Sequence, residues 1–217
     1  MDINKFIKCK GVINNIYPIL SEHKDQSANL DPHYFLQDLF VSSEIYKMKN
    51  KGVIVDVGSR IDGFVSKIAV FRKIEVFDIR ELKINHKNII FKKFSLNKIP
   101  KKYENYANIV TCLHTLEHIG LGRYGDEIDP NGHILALAKL VPILKKKGYL
   151  FISVPISYKD TTSFNAHRNF FPKTLPKLNK NIKLIDFHYI DDNKKLNLNI
   201  NLEKHTFSKI SYGCGIY

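Results

Sequence analysis

The sequence predicts an α/β fold in which helices cover both faces of a doubly wound, mostly parallel sheet with an antiparallel C-terminal edge. Two observations predict it. Short, continuous apolar runs alternate with segments whose apolar residues recur at helical spacing, as buried parallel strands and their crossover helices do. The first run also leads through a glycine turn and a helix to a second run that ends in an aspartate, which is the order of a nucleotide-binding βαβ unit.

The first predicted helix begins where Asp31 precedes Pro32, a capping side chain followed by proline at the first helical position. Apolar residues at roughly helical spacing carry it to about Lys49. The apolar run 53–55 then predicts a buried strand, and Gly58 predicts the turn after it. These elements open the βαβ unit.

A helix with Phe64, Ile68 and Phe71 on one face follows, and then the strand "KIEVFDIR", which ends at Asp78. Further strands are predicted at "NIIFKKF", "ANIVTCL" and "YLFISVPI". The repeated alternation of strand and helix favours a parallel sheet over a sandwich or a barrel.

A helix is predicted between the last two of these strands, starting at Asp129-Pro130. Pro142 is expected to kink its last turn, and residues 145–148 are expected to close it with lysines and a C-terminal glycine. After Pro172 the signals weaken. The segments "IKLIDFHYI" and "KLNLNINLE" are predicted strands that form the antiparallel edge.

The size of the chain favours one domain. With 217 residues and 44% hydrophobic residues it can bury a sizeable core, and two full domains are not expected. We expect a single domain over 1–217, with an N-terminal helical segment at 1–50, a core at 51–155, and C-terminal strands and loops at 156–217.

The formal charge of +13 raises the question of an anionic partner. The lysines are spread along the whole chain, and Lys, Ile and Asn are abundant together, as an AT-rich coding genome produces without selection for binding. An anionic small substrate is the second explanation. A nucleic-acid partner is the least favoured of the three.

Neither a membrane nor a disulfide framework is expected. The first twenty residues interleave charges with apolar residues, and no later run approaches the roughly 18 apolar residues that a membrane span needs. Cys9, Cys112 and Cys214 are odd in number and far apart. We therefore expect a cytoplasmic protein, and the sequence indicates no oligomeric state.

The turn after the first strand is the predicted ligand site, because ligands of open α/β sheets lie beyond the carboxyl ends of the strands. Asp56, Gly58, Ser59 and Gly63 lie in or beside this turn, and its glycines permit close approach of the backbone. Asp78, twenty residues after Gly58, is placed to accept hydrogen bonds from ribose hydroxyls. The alternative is a structural turn in which Asp78 caps a helix.

The glycine spacing is not G-x-G-x-x-G, so a dinucleotide such as NAD is the less natural ligand. S-adenosylmethionine carries no phosphate and presents an ammonium, a carboxylate and a ribose diol. Asp56 can face the ammonium, directly or through water, and Asp78 the diol. The predicted cofactor is S-adenosylmethionine.

Residues 30–155 resemble the class I S-adenosylmethionine-dependent methyltransferases, which have a Rossmann-like fold. The segments that carry the resemblance are "VIVDVGSRIDG", "EVFDIR", "TCLHTLEHI" and "LKKKGYLFISVP". The resemblance implies further cofactor contacts at Ile79, Ser95, Leu96 and His114. Ser95 stands where an adenine-binding aspartate is usual.

A closer resemblance, over almost the whole chain, is to domain-of-unknown-function family 268, a methyltransferase-like group of bacteria and nematodes. It is carried by "HYFLQDLF", "VDVGSRIDGFVSKIA", "LHTLEHIGLGRYGDEIDP", "FNAHRNFF" and "YGCGI". Arg60 departs from general methyltransferases, since it replaces a glycine of their first motif.

The segment His114-Thr-Leu-Glu117-His118 matches H-x-x-E-H, the zinc-binding pattern of inverted zincins. A protease would need this motif in a longer helix and a further zinc ligand, whereas "GLGRYGD" breaks the helix early. No metal is predicted. A catalytic or acceptor-binding role is favoured, and a structural role or a non-proteolytic metal site stays open. A short helix would place both histidines on one face.

A hydroxyl acceptor must lose its proton on methylation, and histidine has a suitable pKa. His118 is the first candidate for the general base, His114 the second and His167 the third. The alternative for each is a structural histidine bonded to a backbone carbonyl.

Residues Arg123, Tyr124, Asp126 and Arg168 are the predicted acceptor-binding residues. For the arginines the alternative is a loop-stabilising salt bridge with Asp126 or Asp129. The expected function is methylation of a small polar or anionic acceptor, a sugar or nucleotide-sugar of surface-glycan synthesis. The alternative is a catalytically inert binding protein of the same fold.

Overall fold

The computed structural model describes residues 3–16, 30–49 and 52–217. Its contacts divide the chain into two units, Met1–Asp31 and Pro32–Tyr217. In the first unit, helix α1 spans Ile3–Lys8. The prediction of a single domain over 1–217 stays a prediction.

The second unit alternates strands and helices as predicted. Its helices are α2 (Pro32–Lys47), α3 (Ser66–Phe71) and α4 (Gly132–Leu140). Its strands are β1 (Ile54–Val57), β2 (Ile74–Asp78), β3 (Ile89–Lys93), β4 (Ala107–Leu113), β5 (Leu144–Ile156), β6 (Thr161–Ser163), β7 (His167–Asn169), β8 (His188–Ile190), β9 (Leu196–Asn197) and β10 (Gly213–Ile216). A π-helical turn at Ile61–Val65 leads into α3.

Eight strands form one sheet in the order β3-β2-β1-β4-β5-β10-β8-β9. The first five are parallel, and β10, β8 and β9 add antiparallel pairs at one edge. The predicted fold class is therefore confirmed. The sheet order reverses between β1 and β4, so the carboxyl ends of these strands mark the expected ligand crevice.

Helices cover both faces of the sheet. Buried residues of α2 and α3 pack on one face, around Ile54 and Ile109. Buried residues of α4 pack on the other face, around Val55 and Val110. Asp56 alternates with Val55, and it therefore lies on the face that α2 and α3 cover.

The predicted C-terminal end of helix α4 is wrong. Residues 145–148 belong to β5, because the helix ends at Leu140 and a 3-10 turn containing Pro142 follows it. Ala107 pairs with Leu144 and Ile109 with Tyr149, so the intervening lysines form a bulge. An interior proline removes a backbone donor and clashes with the preceding turn, which ends the helix earlier than its lysines suggested.

Among the described residues, no helix combines the length and the hydropathy that a membrane crossing requires.

Candidate functional site

Asp56 lies buried at the end of β1, where its carboxylate orders the glycine turn. Ser59 donates from its backbone N–H to Oδ2 at 3.1 Å and from its hydroxyl to Oδ1 at 2.5 Å. Thr111 of β4 donates to Oδ1 at 2.6 Å. The carboxylate therefore ties the turn to two adjacent strands.

Burial raises the pKa of Asp56 to about 6 from its ordinary value near 3.8, although the hydrogen bonds from Ser59 and Thr111 lower it. This difference corresponds to about 3 kcal/mol against the ionised form. Burial therefore disfavours the ionised form of Asp56, and a cationic group placed next to the carboxylate would offset this cost.

The two glycines of the turn are required by neighbouring side chains. Gly58 has φ +71, and a Cβ built on it would lie 2.6 Å from Cγ2 of Thr115. A Cβ on Gly63 would collide with the carboxylate of Asp38 in α2. The structure thus gives Gly63 a packing role, whereas the sequence pattern had assigned it to the cofactor.

Asp78 ends β2 beside the same turn, since Gly58 donates its N–H to the carbonyl of Phe77. Its carboxylate is held by Arg80, whose Nε donates to Oδ1 at 3.0 Å and whose Nη2 donates to Oδ2 at 2.7 Å. The backbone N–H of Arg80 also donates to Oδ1 at 2.8 Å. Asp78, the predicted ribose acceptor, therefore lies beside the glycine turn with its carboxylate bonded to Arg80.

The other predicted cofactor residues lie close to Asp78. Ile79 follows it directly and is half-buried. Phe94 donates its N–H to the carbonyl of Asp78 at 3.2 Å, which places the half-buried Ser95 next to the same strand end. Leu96 packs against the core below. These residues therefore follow the carboxyl ends of β2 and β3.

The H-x-x-E-H segment forms a turn in which Glu117 lies between the two histidines. His114 has φ +48, and only Leu116–His118 forms a 3-10 turn. Glu117 Oε1 lies 2.9 Å from His114 Nδ1 and 3.6 Å from His118 Nε2. The shared helical face considered for the histidines is therefore wrong, because the chain turns sharply after β4.

His114 is buried, and its ring contacts that of Tyr34 at 4.6 Å. Burial alone lowers the pKa of His114, but the Cys214 sulfur and the Glu117 carboxylate raise it, and the net shift is upward. No group in the described part of the chain donates a hydrogen bond to the buried Oε2 of Glu117. A cationic His114 stabilised by Glu117 is poorly suited to accept a proton.

His118 has the opposite character. Its Nδ1 donates to the carbonyl of Ala166 at 2.7 Å, which leaves the lone pair of the neutral ring on Nε2. Burial lowers the pKa of His118 below its ordinary value, although Glu117 raises it. The ring is therefore neutral near pH 7, as a general base must be.

Tyr124 lies between two arginines at the mouth of this site. The guanidinium of Arg80 lies 4.8 Å from the centre of the Tyr124 ring, and the guanidinium of Arg123 lies 5.3 Å from it. The Tyr124 ring also meets that of His118 edge-on at 5.6 Å. These contacts connect the strand end at Asp78 with the H-x-x-E-H turn.

Two predicted acceptor-binding residues instead stabilise the loop. Arg168 is buried and donates to the carbonyls of four residues, Glu117, Ile119, Asp129 and Pro130. Asp126 accepts hydrogen bonds from the backbone N–H groups of Gly120, Gly122 and Tyr124. Their polar atoms are directed at the protein backbone, and we assign both side chains to positioning the loop.

The remaining candidate base, His167, lies on β7. Its ring meets that of Tyr212 at 5.8 Å. The strand packs against the 3-10 turn that contains His118, so His167 belongs to the same side of the sheet.

Sequence reasoning missed the polar residues of α2. Asp38 is buried, and its Oδ2 lies 3.5 Å from Nζ of Lys67. Gln37 donates to Asp38 at 2.9 Å and accepts hydrogen bonds from Ser153 and Cys214. The signal was the pair Gln37-Asp38 within an otherwise apolar stretch of the helix, which indicates polar groups turned inward.

Among the described residues, no group of three or more His, Cys, Asp and Glu side chains is arranged to hold a metal ion.

A family model described as "Caenorhabditis protein of unknown function, DUF268" matches residues 54–213. The chain belongs to this family. The DUF268 match covers the glycine turn, Asp78, the H-x-x-E-H segment and β7, and it confirms the resemblance drawn from the sequence motifs. No curated protein matches the chain.

Solved structures show which fold this DUF268 chain shares. A methyltransferase from Thermotoga maritima is 14% identical with a TM-score of 0.53, over 85% of this chain and 88% of that one. Coclaurine N-methyltransferase, solved with N-methylheliamine and SAH, is 11% identical with a TM-score of 0.53, over 77% and 54%. The [4+2]-cyclase SpnF is 12% identical with a TM-score of 0.52, over 75% and 63%.

The DUF268 chain therefore has the class I methyltransferase fold. It spans less than two thirds of the coclaurine enzyme and of the cyclase. Since one of these similar structures is a cyclase, the fold alone does not fix the reaction, and the function must be argued from the site.

Proposed function

We propose that the protein is a methyltransferase that binds S-adenosylmethionine beyond β1 and β2 and methylates a small polar acceptor. The observation that carries the proposal is the pair of aspartates at adjacent strand ends. Asp56 is buried and matches an ammonium group, while Asp78 lies beside Gly58 and matches a ribose diol. S-adenosylmethionine presents both groups, and the class I methyltransferase fold supports the same cofactor.

When bound, the cofactor supplies an electrophilic methyl group, and the chain supplies position and a proton acceptor. His118 takes the acceptor's hydroxyl proton on Nε2, because its Nδ1 is committed to Ala166. Glu117, 3.6 Å from Nε2, then stabilises the resulting imidazolium. Arg168 holds the loop that carries this turn by bonding its carbonyls.

The acceptor that we propose is an anionic sugar or a nucleotide-sugar of surface-glycan synthesis. Arg80 and Arg123, both stacked on Tyr124, supply positive charge beside His118. Guanidinium groups suit phosphate and carboxylate groups because they can donate two parallel hydrogen bonds. The glycan context itself rests on the family resemblance.

A second candidate function is a catalytically inert binding protein of the same fold. The engagement of Asp78 by Arg80 favours it, because two of the three donors on this carboxylate come from a side chain of the protein itself. This candidate predicts that the Asp78→Ala variant keeps the biological activity of the protein.

Transfer of a radiolabelled methyl group from S-adenosylmethionine to a pool of sugar phosphates and nucleotide-sugars separates the two candidates. We expect label in the acceptor fraction with the wild-type protein and at least a tenfold lower rate with Asp78→Ala. Binding of the cofactor without transfer to any member of the pool would favour the inert protein.

The affinity for S-adenosylmethionine is expected to depend on the ionisation of Asp56. Since the pKa of Asp56 is raised to about 6, its carboxylate is charged above that pH and neutral below it. The dissociation constant should be constant above pH 7 and should rise towards tenfold per pH unit below about 6. Calorimetry between pH 5 and 8 measures this dependence. A dissociation constant that does not change over this range would show that Asp56 does not bind the cofactor's ammonium group.

The Asp78→Ala variant should bind S-adenosylmethionine more weakly by about 1.5–3 kcal/mol, because the ribose hydroxyls lose a charged acceptor. Asp62→Ala is the matched control, since Asp62 lies in the π-helical turn Ile61–Val65 and is also paired with an arginine two residues away. Its affinity should be unchanged. Equal affinities of Asp78→Ala and the wild-type protein, with both folded, would remove Asp78 from the site.

A further inference from the structure

Arg80 occupies the hydrogen-bonding positions on Asp78 that a ribose diol would use. A carboxylate has about four lone-pair positions on its two oxygens. Both positions of Oδ1 are taken by the backbone N–H and the Nε of Arg80, and Nη2 takes one position of Oδ2. A diol needs one acceptor on each oxygen, so it can bind both oxygens only after the guanidinium has moved.

The guanidinium can leave Asp78 without leaving the site. The side chain of Arg80 is 55% exposed, so the guanidinium can turn away from Asp78 into solvent, whereas the Asp78 side chain is only 12% exposed and keeps its position. The backbone N–H of Arg80 stays bonded to Asp78 when the side chain turns. The Tyr124 ring, 4.8 Å from the guanidinium, provides a second attachment by a cation–π contact.

A released Arg80 would meet a second cation at the same ring. Arg123 lies over Tyr124 at 5.3 Å and donates through Nη1 to the carbonyl of Ala166, the acceptor that also fixes His118. An anion bound by both guanidiniums would therefore lie next to the proposed base. While Arg80 stays on Asp78, its charge is neutralised by that carboxylate.

We propose that Arg80 is exchanged between Asp78 and an anion subsite formed with Arg123 and Tyr124, so that binding of the cofactor's ribose prepares the site for a phosphate-bearing acceptor. The inference rests on the proposed function and adds to it the exchange of Arg80 between two anionic partners and an order of binding, cofactor first. Because coupling between two ligands is reciprocal, the anion also increases the affinity for the cofactor.

The test is calorimetry with S-adenosylhomocysteine and with inorganic pyrophosphate as the anionic probe, on the full chain. Arg80→Gln removes the competitor for the diol, and it should bind S-adenosylhomocysteine at least threefold more tightly than the wild-type protein. Arg60→Gln is the matched control, because Arg60 is also 55% exposed and also pairs with an aspartate two residues away. It should not bind more tightly.

In the wild-type protein, saturating S-adenosylhomocysteine should increase the affinity for pyrophosphate at least fivefold, and Arg80→Gln should abolish that increase. Arg123→Gln should weaken pyrophosphate binding and leave S-adenosylhomocysteine binding intact. The exchange is overturned if Arg80→Gln binds S-adenosylhomocysteine no more tightly than the wild-type protein does. It is also overturned if S-adenosylhomocysteine does not change the affinity of the wild-type protein for pyrophosphate. Either result leaves the proposed function standing. Absence of S-adenosylhomocysteine binding in both proteins overturns the exchange and the proposed function together.

Discussion

The His118→Ala variant is expected to lower kcat by about 10²–10⁴ while leaving cofactor affinity nearly intact, the usual effect of removing a positioned proton acceptor. His118 is fixed by Ala166 through Nδ1, and its lone pair on Nε2 lies beside Glu117. In the wild-type protein kcat should fall at low pH, through a pKa below the ordinary histidine value, since burial lowers the pKa of His118.

Two controls distinguish this role from the alternatives. His167→Ala removes a histidine on the same side of the sheet, where the ring contacts Tyr212, and should change kcat by less than about tenfold. A metal site would instead make activity sensitive to chelators and make His114, Glu117 and His118 variants fail alike. If His118→Ala is stable and fully active, His118 is not the base and His167 becomes the first candidate, since the raised pKa of His114 keeps that ring protonated.

The Gly58→Val variant is expected to lose detectable cofactor binding and to be less stable by about 2–4 kcal/mol. Gly58 has φ +71, a conformation that a β-branched residue adopts only with strain, and its new Cβ would lie 2.6 Å from Thr115 Cγ2. The collision displaces the turn between Asp56 and the H-x-x-E-H segment.

Gly125→Val separates strain from collision. Gly125 also has a positive φ, of +80, but a Cβ there would meet no atom within 4 Å. Thermal melting and S-adenosylhomocysteine titration of both variants measure the difference. Equal losses in the two variants would show that backbone strain, and not the contact with Thr115, explains the Gly58 effect.

The parallel half of the sheet was predictable because its signals are local. The strands β1, β2 and β4 are mostly apolar runs, and Asp56, Asp78 and His114 lie at or directly after their carboxyl ends. Such runs reflect burial on both faces, which the sequence records directly. The positions of both aspartates followed from these strand ends.

The antiparallel strand β10 was not predicted, because "GCGI" is short and contains two glycines that lower its strand propensity. Its place between β5 and β8 is fixed by pairing with distant segments. The wrong prediction that residues 145–148 close a helix has a related cause. A lysine run with a glycine suits a helix end locally, and only the pairing with β4 shows that it is a bulged strand.

Within the site, contacts between side chains were the part that sequence could not supply. Arg80 is two residues from Asp78, a spacing that does not by itself indicate a bidentate pair. Arg168 was predicted to bind an anionic acceptor, but its guanidinium donates to four backbone carbonyls. Residue type predicts which side chains carry charge. Only the folded structure shows which of these charged groups are already bonded to other parts of the protein.

The most direct measurement of the central claim is a calorimetric titration of the wild-type protein with S-adenosylhomocysteine at pH 7.5, with NAD as the comparison ligand. We predict saturable binding at one site per chain, reduced in Asp78→Ala and absent for NAD. No heat of binding up to millimolar S-adenosylhomocysteine, from a protein that is folded by thermal melting, would contradict the assignment of this cofactor.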